Sequence, residues 1–282
     1  MCDKKFSIPK EFIKNNKRVY KLAETADVII EVVDARIAHS GANLLNYAKL
    51  NDVKRIILFS NTQKADVEQT KKWMEYYHSQ EIYCQMLLCH EEQTSKEYQR
   101  CLANFKKLLK KYANKKILII SLPDSNKELL LEKMFDNNET FEKGRGIFFT
   151  REKIYRYNNV EFIDTVPITG INFSQPDVYW NTQILGLFKI EDNTEIVAIK
   201  AFQLLLTKYQ KKLETAYSVR IQPKSSVKQI VKEFIKLMTT NLSLPDSETT
   251  DNLLLCAKFL EYIKKGKKIP AISLEWVEDY VK

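Results

Sequence analysis

Ala26-Asp27-Val28-Ile29-Ile30-Glu31-Val32-Val33-Asp34-Ala35-Arg36-Ile37 is the stretch on which the reading of this chain turns. Between Val28 and Val33 every residue but Glu31 is apolar, which marks a strand buried on both faces, as in a parallel sheet covered by helices. It runs into Asp34-Ala35-Arg36, at the carboxyl end of the strand, where open α/β sheets build their sites.

Outward from that strand the pattern alternates. A helix is predicted over residues 9–24, with Pro9 suited to its first turn. After the strand come a short helix near 44–49, a strand at 55–59, an amphipathic helix over 67–80, a strand at 82–88, a long helix over 95–112, a strand at 116–120 and a helix over 127–134. Strands separated by helices predict the α/β class with a mostly parallel sheet. Past Glu139 two short strands at 153–157 and 160–163 read as a hairpin closed by Asn158-Asn159. From Phe173 the chain reads as helical, over 179–188, 194–216, 226–239, 248–265 and 274–281. The boundary is placed near Asn172, giving an α/β domain at 1–172 and a helical domain at 173–282.

Composition narrows the function classes. With 282 residues and 44% hydrophobic side chains, the chain can bury two cores. No run of 18 or more apolar residues is present, so no membrane span is predicted, and the opening Met1–Phe6 lacks a secretory apolar core, so a cytoplasmic location is expected. Five cysteines without paired spacing argue against a disulfide framework. Cys84, Cys89 and His90 lie on or beside an apolar strand, short of the four placed ligands zinc needs, so no metal is predicted. A net charge of +9 favours a polyanionic partner, although the abundance of lysine, asparagine and isoleucine also follows from an AT-rich genome.

The order of elements, and the match of residues 26–37 to a "D-x-V-x-x-x-V-D-A-R-x-P" stretch, resemble the circularly permuted GTPases of the ribosome biogenesis GTPase A (RbgA/YlqF) group. The resemblance implies a permuted P-loop GTPase-like domain followed by a helical domain that contacts large-subunit rRNA. In that group N-K-x-D precedes the phosphate loop and D-x-x-G comes last. Gln63-Lys64-Ala65-Asp66 matches N-K-x-D at three of four positions, with Gln63 one methylene too long. Where G-x-x-x-x-G-K-[ST] belongs, the chain reads Ser121-Leu122-Pro123-Asp124-Ser125-Asn126-Lys127-Glu128. Of the fixed positions Lys127 alone is kept: Ser121 and Asn126 replace glycines whose backbone wraps phosphate, and Glu128 replaces the magnesium-binding hydroxyl. No glycine occurs from Ala42 to Glu142, so no shifted loop exists there. Gly144-Arg145-Gly146-Ile147 leads to Phe148 at the switch-threonine position, with Thr150 beyond it. D-x-x-G becomes Asp164-Thr165-Val166-Pro167, and proline has no N–H to offer a γ-phosphate. The family's P-G-H-M becomes Pro9-Lys10-Glu11-Phe12.

Losing the magnesium partner costs roughly 1.5–3 kcal/mol, and two non-glycine residues in left-handed backbone about 1–2 kcal/mol each. The sum predicts a loss of roughly a thousandfold or more in GTP affinity. Each surviving residue also has a plainer reading. Lys127 could be a solvated lysine, Lys64 and Asp66 could open and cap a helix, and Asp164 could be a turn residue. Asp34 and Arg36 could brace the sheet end, and His39 and His78 read as surface residues. Basic residues recur at Lys106, Lys107, Lys110 and Lys111, then at Lys208, Lys211, Lys212 and Arg220, and at four-residue spacing through Lys224, Lys228, Lys232 and Lys236. Tyr209, Tyr217 and Phe234 lie between them and suit either bases or a core.

The resulting expectation is a large-subunit assembly factor that binds rRNA or a precursor particle without GTP turnover. It is a pseudo-GTPase with no catalytic residue, needing neither the family's GTP nor its magnesium, and acting as a monomer without DNA or membrane partners. The alternatives are a working GTPase with unconventional motifs and a protein-interaction scaffold unrelated to ribosomes.

Overall fold

The computed structural model describes residues 10–50, 52–87, 95–135, 153–157, 159–170, 175–188, 194–218, 220, 252–267 and 269–281. These fall into two compact units, Met1–Gln175 with Glu275–Lys282, and Pro176–Leu274.

In the first unit α1 (Lys10–Ala23) precedes β1 (Val28–Asp34), followed by the single-turn α2 (Ala38–Gly41), β2 (Lys54–Ser60), α3 (Val67–Ser79), β3 (Tyr83–Met86), α4 (Lys96–Lys110), β4 (Lys116–Ser121), α5 (Lys127–Phe135), β5 (Lys153–Tyr157) and β6 (Val160–Asp164). The six strands form one sheet in the order β3-β2-β1-β4-β6-β5. All pairs are parallel except β5 with β6, the predicted hairpin. Its turn residue Asn159 takes a left-handed φ of 62°, a conformation asparagine tolerates better than most residues.

β1 lies inside the sheet and is buried at every position, which accounts for its nearly unbroken apolar run. Val28, Ile30 and Val32 share one core with Phe105 and Leu109 of α4 and Leu130 of α5. Val33 shares another with Phe59, Trp73 and Tyr77, so α3 covers the second face. The charge inside the apolar run, Glu31, is fully buried and paired, as a buried carboxylate must be. It accepts from Arg55 Nε at 2.8 Å and from the Leu44 N–H at 3.0 Å, and the Arg55 guanidinium lies 4.5 Å from the Tyr47 ring centroid.

The helix expected near 44–49 is a 3-10 turn at Tyr47–Lys49. Gly41 ends α2 so close to β1 that a Cβ there would meet Val33 Cγ1 at 2.9 Å. The last eight residues also depart from expectation, since they cluster with the sheet and not with the helical domain. The cause is Glu275, 1% exposed, whose carboxylate accepts the His39 N–H at 2.7 Å, the Ser40 N–H at 2.9 Å and the Ser40 hydroxyl. Its carbonyl accepts the Trp73 indole N–H at 3.2 Å. Beyond it a final helical turn, Val277–Tyr280, brings the Tyr280 ring within 4.4 Å of His39. His39 is therefore half-buried, not a surface residue, and burial lowers its pKa; His78 is exposed.

In the second unit α6 (Pro176–Ile184), α7 (Thr194–Tyr217) and α8 (Asn252–Lys265) carry the core. Phe202 and Phe259 meet edge to face at 5.9 Å. α7 breaks at Tyr209, where φ is −134°. That side chain is buried, and its hydroxyl accepts the Ser273 N–H at 2.9 Å, so Tyr209 is a core residue. The helix expected over 226–239 lies outside the described residues.

Candidate functional site

The carboxyl ends of β1, β2, β4 and β6 bring together residues far apart in sequence. At the end of β1, Asp34 Oδ1 accepts the Arg36 N–H at 3.0 Å and Nε at 2.9 Å, while Oδ2 accepts the Arg36 guanidinium at 2.7 Å and Asn61 Nδ2 at 2.7 Å. Asp34 and Arg36 are each 3% exposed, which makes them a structural brace. Asn61, left-handed at φ 53° after β2, in turn accepts Asn126 Nδ2 at 2.8 Å through its Oδ1. One amide thus links the Asp34 brace to the loop between β4 and α5. Asn61 is absent from the candidates read from sequence. The signal that could have found it is an asparagine directly following the strand, two positions ahead of Gln63.

Downstream, Gln63 is exposed and Lys64 half-buried in a 3-10 turn. Asp66 caps α3, accepting the N–H groups of Glu68 at 3.0 Å and Gln69 at 3.4 Å. The carboxylate suited to a guanine edge is engaged with its own helix.

Ser121 ends β4, buried, and the loop passes through left-handed Asp124 (φ 54°) and Asn126 (φ 59°). The loop therefore holds less strain than the loss of two glycines implies. Of the two missing glycines, only the position of Asn126 takes positive φ, and asparagine adopts that region at little cost. The loop keeps a left-handed turn without glycine. The Ser125 hydroxyl beneath it is buried and makes no hydrogen bond among the described residues.

Lys127 opens α5 but is not solvated. It is 1% exposed, its Nζ lies 2.6 Å from Asp164 Oδ1, and it donates to the Thr165 carbonyl. Asp164 is likewise more than a turn residue: it is the buried partner of this pair. Burial raises the pKa of its carboxyl, with Lys127 acting in the opposite sense. Glu128 is exposed on the first turn of α5. Pro167 offers only its carbonyl, which accepts Asn15 Nδ2 at 3.4 Å.

Among the described residues no group of three or more His, Cys, Asp or Glu could hold a metal ion. Cys84 is buried, and burial pushes its thiol up to about 12, away from the thiolate a metal would need. Among the same residues no helix is long and apolar enough to cross a membrane. Of the basic candidates, Lys211, Lys212 and Arg220 are exposed and Lys208 half-buried, with Lys212 Nζ 5.0 Å from the Tyr209 ring centroid. Lys106 is half-buried, while Lys107, Lys110 and Lys111 are exposed. Lys224, Lys228, Lys232, Lys236, Phe234, Gly144, Gly146, Phe148 and Thr150 lie outside the described residues, as do the side chains of Glu11 and Tyr217.

No family model matches the chain. Ribosome biogenesis GTPase A of Priestia megaterium is 24% identical over 233 residues, covering 78% of this chain and 80% of that protein. The protein of the same name from Bacillus pumilus is 22% identical over 231 residues, covering 77% and 81%. GDP-bound YlqF superposes with a TM-score of 0.66 at 19% identity, over 93% of this chain and all of that one. GNP-bound YlqF from T. maritima gives 0.62 at 18% identity, over 94% of this chain. The chain is thus similar to ribosome biogenesis GTPase A over more than three quarters of its length, and it shares the fold of YlqF.

The six-stranded sheet is thus a circularly permuted GTPase fold. Against the nucleotide used by the ribosome biogenesis GTPase A family, its residues fit poorly. The lysine owed to phosphate is held by Asp164 and Thr165, a carboxylate stands where magnesium needs a hydroxyl, and Pro167 lacks the N–H that glycine supplies.

Proposed function

We propose that this chain is an assembly factor of the large ribosomal subunit that retains the permuted GTPase scaffold without turning over GTP, and that it binds rRNA or a precursor particle. It acts as a cytoplasmic monomer and takes its specificity from RNA contacts and not from a nucleotide cycle. Curated relatives matched over more than three quarters of the chain carry the name ribosome biogenesis GTPase A, which supports the assembly role.

The observation that carries the loss of turnover is the buried pair between Lys127 and Asp164. A triphosphate with its metal would need both groups, one for phosphate and the other beside magnesium, so the pair must break first. Separating a buried ion pair costs about 3–5 kcal/mol, which corresponds to roughly two to four decades of affinity. Glu128 adds a negative charge on the same helix turn.

Titration with fluorescently labelled GTP tests this directly: no saturation is expected across the micromolar range, together with co-sedimentation of the chain with large-subunit precursors. Micromolar binding accompanied by phosphate release overturns the assignment. A second reading, nucleotide binding without hydrolysis, is favoured by one feature, the left-handed loop over the unpartnered Ser125 hydroxyl. In the same titration it would appear as saturable binding without release.

A further inference from the structure

Helix α1, Lys10–Ala23, carries five basic residues against one acid in its sequence KEFIKNNKRVYKLA. Lys10, Lys14, Lys17 and Lys21 are all exposed. Their spacings of four, three and four place them on one face, over about 16 Å of helix axis. The opposite face is committed to the fold. Val19 and Ala23 are fully buried. Asn16 Nδ2 donates to Thr169 Oγ1 at 2.8 Å, its Oδ1 accepts the Thr169 N–H at 3.1 Å, and the Tyr20 hydroxyl accepts the Asn46 N–H at 2.8 Å.

The lysines of α1 differ from those of α4. Lys107 and Lys110 occupy the last turn of α4, where a cation complements the negative end of the helix dipole. In α1 Lys21 alone lies in the last turn, whereas the row starts at Lys10, the first residue, where a cation opposes the dipole, and like charges at these spacings repel one another. Lys10, Lys14 and Lys17 gain nothing from the helix dipole in that arrangement. A polyanion laid along the face removes the repulsion and releases its own counterions.

We propose that the exposed face of α1 is a docking surface for the phosphate backbone of RNA. The inference rests on the RNA-binding reading above and adds to it the surface that makes the contact. An anionic membrane would present the same charge, but a helix lying in a bilayer interface must insert an apolar face. The apolar face of α1 is turned into the sheet unit, and on the exposed side Ile13, 43% exposed, is the one large apolar residue.

The test compares the full chain with K14E/K17E/K21E, and with K107E/K110E/K111E as an α4 control of equal charge change, in titrations with an rRNA fragment over a range of salt. The α1 variant is expected to bind roughly tenfold or more weakly near physiological salt, with the slope of log affinity against log salt reduced by about 2–3. The α4 control is expected to keep most of the affinity. K14Q/K17Q/K21Q, with an intermediate loss, serves if the reversal fails to fold. Equal losses in the α1 and α4 variants, or no loss in the α1 variants, overturn the surface while leaving RNA binding intact. Binding of the unaltered chain to phosphatidylserine vesicles, lost in the α1 variant while RNA affinity is kept, overturns it in favour of a membrane. An unaltered chain that binds no RNA overturns this inference together with the proposal it rests on.

Discussion

Two carboxylates end strands of the same sheet, Asp34 on β1 and Asp164 on β6, and they are satisfied in different ways. The oxygens of Asp34 accept four hydrogen bonds, three from Arg36 and one from Asn61, so both of its oxygens are saturated by neighbouring side chains and backbone. Asp164 pairs with Lys127, with Lys153 opposite it on β5 as a weaker attraction, and burial still raises its pKa. The first cluster is a brace that needs no ligand. The second is a buried ion pair made of the two side chains that the family pattern assigns to phosphate and metal. The same strand-end position can therefore serve architecture in one place and, in another, hold groups suited to a ligand against each other.

Removing a partner separates the two most sharply. Lys127→Ala leaves Asp164 buried without its cation and is expected to lower stability by about 3–5 kcal/mol in urea denaturation. A lysine serving phosphate alone would leave the melt of the ligand-free protein unchanged. Asp34→Asn keeps the shape of the brace and removes its charge from beside a buried guanidinium, for an expected loss of about 1.5–3 kcal/mol. A neutral outcome there would show that Asn61 and the backbone suffice to hold the loop.

The smallest effect concerns pH. Because the folded state raises the Asp164 pKa, it binds that proton more tightly than the unfolded chain does. The contribution of this group is present in full at acid pH and is lost as pH rises from the ordinary aspartate range through the raised value. The stability of the wild type relative to Asp164→Asn should therefore fall over that window. Denaturation curves at a series of pH values check the sign, and the opposite slope would mean that attraction to Lys127 outweighs burial.

Much of the sheet unit was legible because its signals are local. The buried run of β1, the period of α3 and α4, and the Asn158-Asn159 turn each depend on residues a few positions apart. Altered motif positions were legible for the same reason, since a proline at 167 lacks an N–H in any fold. The partners were not legible. Lys127 meets Asp164, Asn61 meets Asn126, and Glu275 reaches Ser40 across 235 positions of sequence. Asn61 was missed because a contiguous four-residue motif directs attention to Gln63, whereas the bridge to the loop is made from the αL position directly after the strand. The strain assigned to the loop was overestimated because sequence does not say which residue takes positive φ, nor that an asparagine already stands there.

By itself the sequence determined the α/β class, the order of the elements and the chemical groups available at each motif position, because periodicity and covalent structure are properties of neighbouring residues. Only the tertiary structure decided that Lys127 is spent on Asp164 and that Glu275 belongs to the sheet unit. A buried charge takes whichever partner the packed chain brings within reach, and that choice is made by the sheet as a whole.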